Sequence, residues 1–187
     1  IRSEDPVLDP RIAHYIAIRK PIADLLINEY EIPASKVSLI YNPIDQTRFN
    51  SDEAEKLERY SGIFVGEVLD PIRFQAVHHL VKECVANDWD LYLMSESRYE
   101  FNHPNIKYVD KRWDTENIVQ MMNFTAGILL GRTTLEGWSC DIPGYMYIID
   151  IHGNIQSIET SAPDYIKELC NSRYVAEQHI QLYKSYI

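Results

Sequence analysis

The stretch that decides the fold is Ala126-Gly-Ile-Leu-Leu-Gly-Arg-Thr-Thr-Leu-Glu-Gly-Trp-Ser-Cys-Asp-Ile-Pro-Gly-Tyr-Met-Tyr-Ile-Ile-Asp150. Apolar residues 128–130 have the length of a buried strand, and Gly131 permits a tight turn directly after them. Thr133-Thr134 stands where a helix N-cap belongs, and Pro143-Gly144 ends the helix that it opens. A second apolar run follows. The stretch therefore predicts a strand, a turn, a short helix and another strand in succession.

The same stretch carries a candidate binding site. A strand that enters a helix through a glycine turn directs free backbone N–H groups and partial positive charge at one point, where phosphate binds. Gly131, Arg132, Thr133 and Thr134 can cradle a diphosphate there; the alternative is an ordinary glycine turn with a threonine cap. Glu136, one turn into the helix, can accept hydrogen bonds from ribose hydroxyls; the alternative is a solvated or capping glutamate at the helix start, stabilised by the helix dipole.

Strand and helix patterns alternate along most of the chain. From residue 61 onward, we predict strands over 62–65, 90–94 and 106–109 and helices over 70–86 and 114–123, with Asp70 and Asp114 as N-caps. Such alternation predicts a parallel sheet covered by helices on both faces. The expected class is therefore α/β, with a Rossmann-like sheet.

The domain boundaries follow from the change in pattern before residue 61. Residues 1–45 are expected to be the remnant of a preceding domain and its hinge, residues 46–60 a polar linker, and residues 61–187 the Rossmann-like domain. The chain begins at Ile1 without a methionine, so we expect it to be a fragment of a longer protein.

Composition excludes several classes of protein. The net charge of −10 argues against nucleic-acid binding, which needs clustered lysine and arginine. No apolar run is long enough for a transmembrane helix. Three cysteines without CxxC spacing favour a reducing, cytoplasmic setting. Adjacent His78 and His79 lie on different helix faces and no Cys/His cluster occurs, so no metal is expected. The sequence contains neither the Gly-x-Ser-x-Gly nucleophile elbow of a Ser–His–Asp hydrolase nor a GxGxxG or Walker A motif.

Three segments, in matching order and spacing, carry a family resemblance. They are residues 32–45 (Ile-Pro-Ala-Ser-Lys-Val-Ser-Leu-Ile-Tyr-Asn-Pro-Ile-Asp) followed by Arg48-Phe49, residues 63–68 (Ile-Phe-Val-Gly-Glu-Val), and residues 135–143 (Leu-Glu-Gly-Trp-Ser-Cys-Asp-Ile-Pro). They resemble the interdomain hinge, the first donor-domain strand and the nucleotide site of GT-B-fold glycosyltransferases, in particular the retaining enzymes of family four. The resemblance covers about residues 14–150 and implies the C-terminal, donor-nucleotide domain of such an enzyme.

The resemblance also implies which residues bind the donor. Glu136 matches the family glutamate that bonds the ribose, and residues 131–136 match a variant of the phosphate loop. Gly66 closes the first donor-domain strand, and the loop with Arg112 and Trp113 occupies the place where the family binds the base. For Trp113, packing over the sheet edge is an equally good interpretation.

Three departures from the family pattern bear on activity. The glutamate associated with the transferred sugar falls at Ile128, and the arginine at the end of the first strand is Glu67. The family lysine falls at or near Ile72, where the neighbouring Arg73 can substitute for it; the alternative for Arg73 is a surface pair with Asp70. Nucleotide binding is therefore better supported than sugar transfer, and no catalytic residue is assigned.

The resemblance implies a glycosyltransferase of hexosyltransferase type that takes a nucleotide-diphosphate sugar as substrate and needs no further cofactor. The acceptor would be a glycan, a lipid-linked molecule or a protein, in surface polysaccharide assembly. We expect a cytoplasmic protein, with membrane contact at the inner face made through a missing part, and an inactive isolated fragment. Alternatives are a non-catalytic GT-B relative, a nucleotide-sugar epimerase and a flavodoxin-like signalling or flavin domain.

Overall fold

The structure is a computed structural model that describes residues 9, 11–51, 54–68, 71–95, 101–128, 130–149, 154–163 and 165–186. Its strands are β1 (Tyr15–Ala17), β2 (Val37–Leu39), β3 (Ser61–Val65), β4 (Asp90–Met94), β5 (Ile106–Val109), β6 (Phe124–Ile128), β7 (Gly144–Ile149) and β8 (Ile155–Thr160). Its helices are α1 (Lys20–Asn28), α2 (Pro71–Ala86), α3 (Thr115–Val119), α4 (Arg132–Ser139), α5 (Ile166–Leu169) and α6 (Ser172–Lys184). The predicted N-cap Asp70 lies outside the described residues.

The chain forms two compact units. The first comprises the residues up to Ile44 together with those from Tyr165 onward, and the second comprises the chain between them. The sequence-based division placed residues 165–187 in the second domain, whereas the structure groups them with the N-terminal residues.

In the first unit, β1 and β2 form a two-stranded parallel sheet that pairs Tyr15 with Val37. The backbone N–H of Ile44 donates to the Cys170 carbonyl (2.8 Å), and the Ser172 hydroxyl donates to the Ile44 carbonyl (3.0 Å). These bonds connect the segment after β2 to the start of α6, which explains why the C-terminal helices belong to this unit.

The second unit contains a six-stranded sheet with the order β5-β4-β3-β6-β7-β8. The first five strands are parallel, and β8 pairs with β7 in the antiparallel direction. Successive strands build outward from β3 to β5 on one side, and the chain then returns to place β6 on the other side of β3. The predicted Rossmann-like class is confirmed, with one antiparallel edge strand that the prediction did not include.

Helices cover both faces of this sheet, as predicted. Phe124 and Ala126 of β6 join the hydrophobic core that contains Val77 and Leu80 of α2. Thr125 lies between them in sequence and therefore points to the opposite face, where α4 packs.

Two predicted elements differ from the structure. The strand β6 spans Phe124–Ile128, so it begins four residues before the predicted run, and its bounds follow its pairing with β3 and β7 (Gly62 with Phe124, Ile128 with Tyr147). The helix α3 ends at Val119, not at residue 123. Asn123 is hydrogen-bonded to Ser61 of β3 instead. Its N–H donates to the Ser61 carbonyl, and its side-chain oxygen accepts from the Ser61 N–H, both at 2.8 Å.

Candidate functional site

The candidate site lies at the carboxyl ends of β3 and β6. These two strands are neighbours, but the connections that leave them run to opposite sides of the sheet. Open α/β sheets bind ligands in the crevice that such a reversal creates. The Thr133 hydroxyl donates to the Val65 carbonyl at 3.3 Å, which ties the first turn of α4 to the end of β3.

Gly131, rather than the two threonines, is the N-cap of α4. Its backbone is extended (φ −102°, ψ 177°), a conformation open to any residue, so the predicted tight turn does not depend on glycine freedom. A Cβ built on Gly131 would meet no atom within 4 Å. The backbone at the start of α4 is therefore open to close approach by a ligand.

Thr133 and Thr134 lie inside the first turn and are buried. The Thr133 hydroxyl is already bound to the β3 carbonyl of Val65. The Thr134 methyl packs against Gly144, where an added Cβ would stand 2.6 Å away, and its buried hydroxyl has no partner among the described residues. Both side chains face the sheet, so a diphosphate would meet the backbone N–H groups of Thr133 and Thr134, and their predicted contact with it stays a prediction.

Glu136 is 5% exposed, which excludes the alternative of a solvated glutamate. Its Oε1 accepts a hydrogen bond from Arg132 Nε at 2.8 Å. Burial raises the pKa of the Glu136 carboxyl, an effect opposed by the charges of Arg132 and Arg48 and reinforced by Glu116. A carboxylate that is kept in a buried position and bound through one oxygen is suited to holding vicinal hydroxyls with the other.

Arg132 carries the exposed positive charge of this crevice. Its side chain is 67% exposed although its Nε is bound to Glu136. A guanidinium has five N–H groups in a planar fork, so the bond to Glu136 leaves donors that can pair with a phosphate.

The loop after β5 presents a bare indole. Trp113 is 96% exposed, which excludes the alternative that it packs over the sheet edge. The neighbouring Arg112 donates to Asp114 Oδ1 at 2.5 Å, and this bond lowers the pKa of the Asp114 carboxyl. Arg112 is therefore engaged within its own loop, while Trp113 is available for stacking.

A carboxylate lies at the end of β3. Gly66 continues the strand and donates to the Met94 carbonyl at 3.1 Å. The next residue, Glu67, accepts from the Ser95 hydroxyl at 3.5 Å and lies 4.0 Å from Lys111 Nζ. Arg73 occupies the first turn of α2 and is partly buried; its alternative partner Asp70 is not described.

Sequence reasoning did not assign Arg48 to the site. Its guanidinium binds Glu116 at the start of α3 and the carbonyl of Trp113. The only sequence signal was the Arg48-Phe49 pair, which was used for the hinge resemblance alone.

The described ranges contain no group of three His, Cys, Asp or Glu side chains that could hold a metal ion. Within those ranges, the helices are too short or too polar to cross a lipid bilayer.

Solved structures are similar to this chain, whereas no protein-family model and no curated protein sequence matches it. A glycosyltransferase from Rickettsia africae ESF-5 aligns over 71% of the chain with a TM-score of 0.55 and 11% identity. HepE from Anabaena, in complex with UDP-glucose, aligns over 72% with a TM-score of 0.56 and 14% identity. The fold is that of a GT-B glycosyltransferase domain.

A third structure aligns over more of the chain. TarM from S. aureus, in complex with fondaparinux, alpha-GlcNAc-glycerol and UDP, covers 88% of it with a TM-score of 0.56 and 9% identity. The chain spans less than half of each of these enzymes: 44% of the first two and 36% of TarM. At these identities the comparisons establish the fold.

Proposed function

We propose that the chain is the donor-binding part of a glycosyltransferase, and that it binds a nucleotide-diphosphate sugar at the carboxyl edge of the six-stranded sheet. The observation that carries the proposal is the joining of α4 to the end of β3 through Thr133, at the reversal of strand order. This contact supports the proposal because it joins the first turn of α4, with the open backbone at Gly131 and the exposed Arg132, to the end of β3, and Arg132 in turn pairs with the buried Glu136.

Each part of the donor has a chemical counterpart in this crevice. The first amides of α4 and the Arg132 guanidinium bind the diphosphate, with Arg73 as a second cation and Gly66 allowing close approach. Glu136 accepts hydrogen bonds from the ribose hydroxyls. Trp113 stacks on the base. Amides and guanidinium fixed before the reaction also stabilise the negative charge that develops on the leaving nucleotide diphosphate.

The reaction that we propose is the transfer of a hexosyl group to a glycan, lipid-linked or protein acceptor in surface polysaccharide assembly. HepE and TarM, whose structures contain UDP-glucose and UDP respectively, support the donor class. The chain spans less than half of those enzymes, so we propose that it does not complete transfer alone. The three buried free cysteines support a reducing, cytoplasmic location; contact with the inner face of a membrane remains a prediction of the sequence.

A non-catalytic nucleotide-binding domain is the second candidate, and two side chains favour it. Ile128 ends β6 where the family places the glutamate associated with the transferred sugar, and Glu67 puts negative charge at the end of β3. Because we propose that the chain does not complete transfer alone, product analysis uses the longer protein to which it belongs. Transfer or hydrolysis of the sugar there supports the enzyme, and an unchanged donor supports the binding domain.

The test of donor binding is calorimetric titration with UDP, GDP and ADP and with their sugar conjugates. We expect one nucleotide to bind saturably and Glu136→Gln to weaken it by about 10- to 100-fold, because hydrogen bonds to a charged acceptor are lost. Glu177→Gln is the matched control: Arg173 Nε binds Glu177 Oε1 at 3.0 Å in the same i,i+4 arrangement on exposed α6. No binding, or equal weakening by both variants, would contradict the proposal.

A further inference from the structure

The exposed indole of Trp113 stands on a backbone that is held in place. Arg48 Nη2 donates to the Trp113 carbonyl at 2.8 Å. On the other side, Asp114 accepts from Arg112 and, at 3.2 Å, from the Asn117 amide. A rigid backbone under an exposed side chain lowers the entropy that is lost when this side chain binds a partner.

Arg48 makes this connection with a bidentate geometry. Its Nε donates to Glu116 Oε1 at 3.1 Å and its Nη2 to Glu116 Oε2 at 2.6 Å. The Glu116 side chain is only 16% exposed, so the pair is partly shielded from water. Since Glu116 is the second residue of α3, one guanidinium joins the helix to the carbonyl of Trp113.

The backbone of Arg48 is also held in place by neighbouring residues. The Gln120 side-chain amide donates to the Arg48 carbonyl at 2.8 Å, and the adjacent Phe49 is buried. The segment that carries Arg48 is therefore anchored on both sides of the guanidinium, and the side chain has little freedom to leave Trp113.

We propose that Arg48 is a positioning residue: it fixes the backbone of Trp113 so that the indole is held ready to stack on the base of the nucleotide donor. This role rests on the proposed function for its ligand, although the fixing of Trp113 exists without ligand.

The first arm of the test observes Trp113 without nucleotide. The three tryptophans give separate signals when 5-fluorotryptophan is incorporated, and Trp113→Phe identifies the signal of residue 113. We expect Arg48→Gln to narrow the Trp113 fluorine line through faster local motion and to leave the other two lines unchanged. Arg48→Lys keeps the charge but loses the planar fork, so it should restore rigidity only in part.

Lys56→Gln is the matched control for this arm. Lys56 also crosses between segments, donating to the Gln120 and Met122 carbonyls at 2.9 and 2.7 Å, but it does not contact Trp113. Glu116→Gln should act like Arg48→Gln. An unchanged Trp113 line in Arg48→Gln, or equal narrowing in Lys56→Gln, would overturn the proposal.

The second arm measures nucleotide affinity in a double-mutant cycle. We expect Arg48→Gln to weaken binding by about three- to tenfold, and to have little further effect once Trp113→Ala is present. Equal losses in both backgrounds would overturn the link to stacking. If the unaltered chain binds no nucleotide, the proposed function fails, whereas the fluorine measurement still decides whether Arg48 positions Trp113.

Discussion

Two helices leave the point where the strand order reverses, and they are held against the sheet in different ways. The helix α2 has sixteen residues, with one face in the hydrophobic core and the other facing outward. The helix α4 has eight residues and is buried from Thr133 to Ser139. An amphipathic helix such as α2 can be stabilised by apolar area alone. A helix buried on every side has no need for a carboxylate, yet α4 contains Glu136.

The comparison distinguishes a helix that apolar packing explains from a helix that contains a buried carboxylate, which packing does not explain. Burying an ionised group is costly, and a well-packed apolar side chain would serve a purely structural helix at least as well. The two helices also differ in the charges near their first turns. Exposed Arg132 opens α4 with positive charge alone, whereas α2 carries Arg73 in its first turn and is preceded by Glu67. Phosphate therefore fits the α4 side of the crevice better than the α2 side.

The largest expected effect tests the close contact of α4 with the sheet. A Cβ on Gly137 would stand 2.6 Å from both Cγ2 and Oγ1 of Thr125, so Gly137→Ala should lower the free energy of unfolding by about 1–3 kcal/mol. Gly131→Ala is the control, because its Cβ would meet no atom of the described residues within 4 Å. It should cost less, about 0.5–1 kcal/mol, since alanine is a poorer N-cap than glycine. Denaturant unfolding measures both, and equal effects would show that close packing of α4 is not required.

The second prediction compares the charges at the two helix starts. Arg132→Gln should weaken nucleotide diphosphate binding by about three- to tenfold, since a charged donor to phosphate is lost. Glu67→Gln should strengthen binding by about two- to threefold, since it removes negative charge near the phosphates. Titration at low and high salt checks both, because screening should reduce the two effects. A loss of affinity in Glu67→Gln would show instead that Glu67 contacts the donor.

Strands with strong apolar patterns were predictable to the residue. The structure places β4 and β5 at the predicted bounds, because each has an apolar pattern bounded by polar or turn residues. In contrast, the predicted position of β6 was wrong. The centre of this strand consists of small residues that fit close tertiary contacts, and a pattern of apolar residues along the chain does not reveal such contacts. Local periodicity therefore predicted the fold class and most elements, but not the closest helix–sheet contact.

The candidate site was predictable where a residue's role depends on its own element. Gly131, Arg132 and Glu136 could be placed from the order of strand, turn and helix. Thr134 could not, because its direction depends on the contact with Gly144, ten residues later. Arg48 was missed for a similar reason: Glu116, its partner, lies 68 residues away in sequence. Contacts of this range are set by tertiary structure alone.

The smallest expected effect is a pH dependence of stability that Glu136 confers on α4. Burial raises the pKa of Glu136, so its protonated form is favoured in the folded state. Its contribution to stability is therefore complete below the unfolded pKa of about 4.3 and is lost as pH rises through the raised folded value. Compared with the unaltered chain, Glu136→Gln should therefore become relatively more stable as pH rises from about 4. Calorimetric unfolding across this range measures the difference, with Glu177→Gln as the control for charge loss at the exposed Arg173 pair. A difference that does not vary with pH would mean that the pairing with Arg132 fully offsets the cost of burying the Glu136 charge.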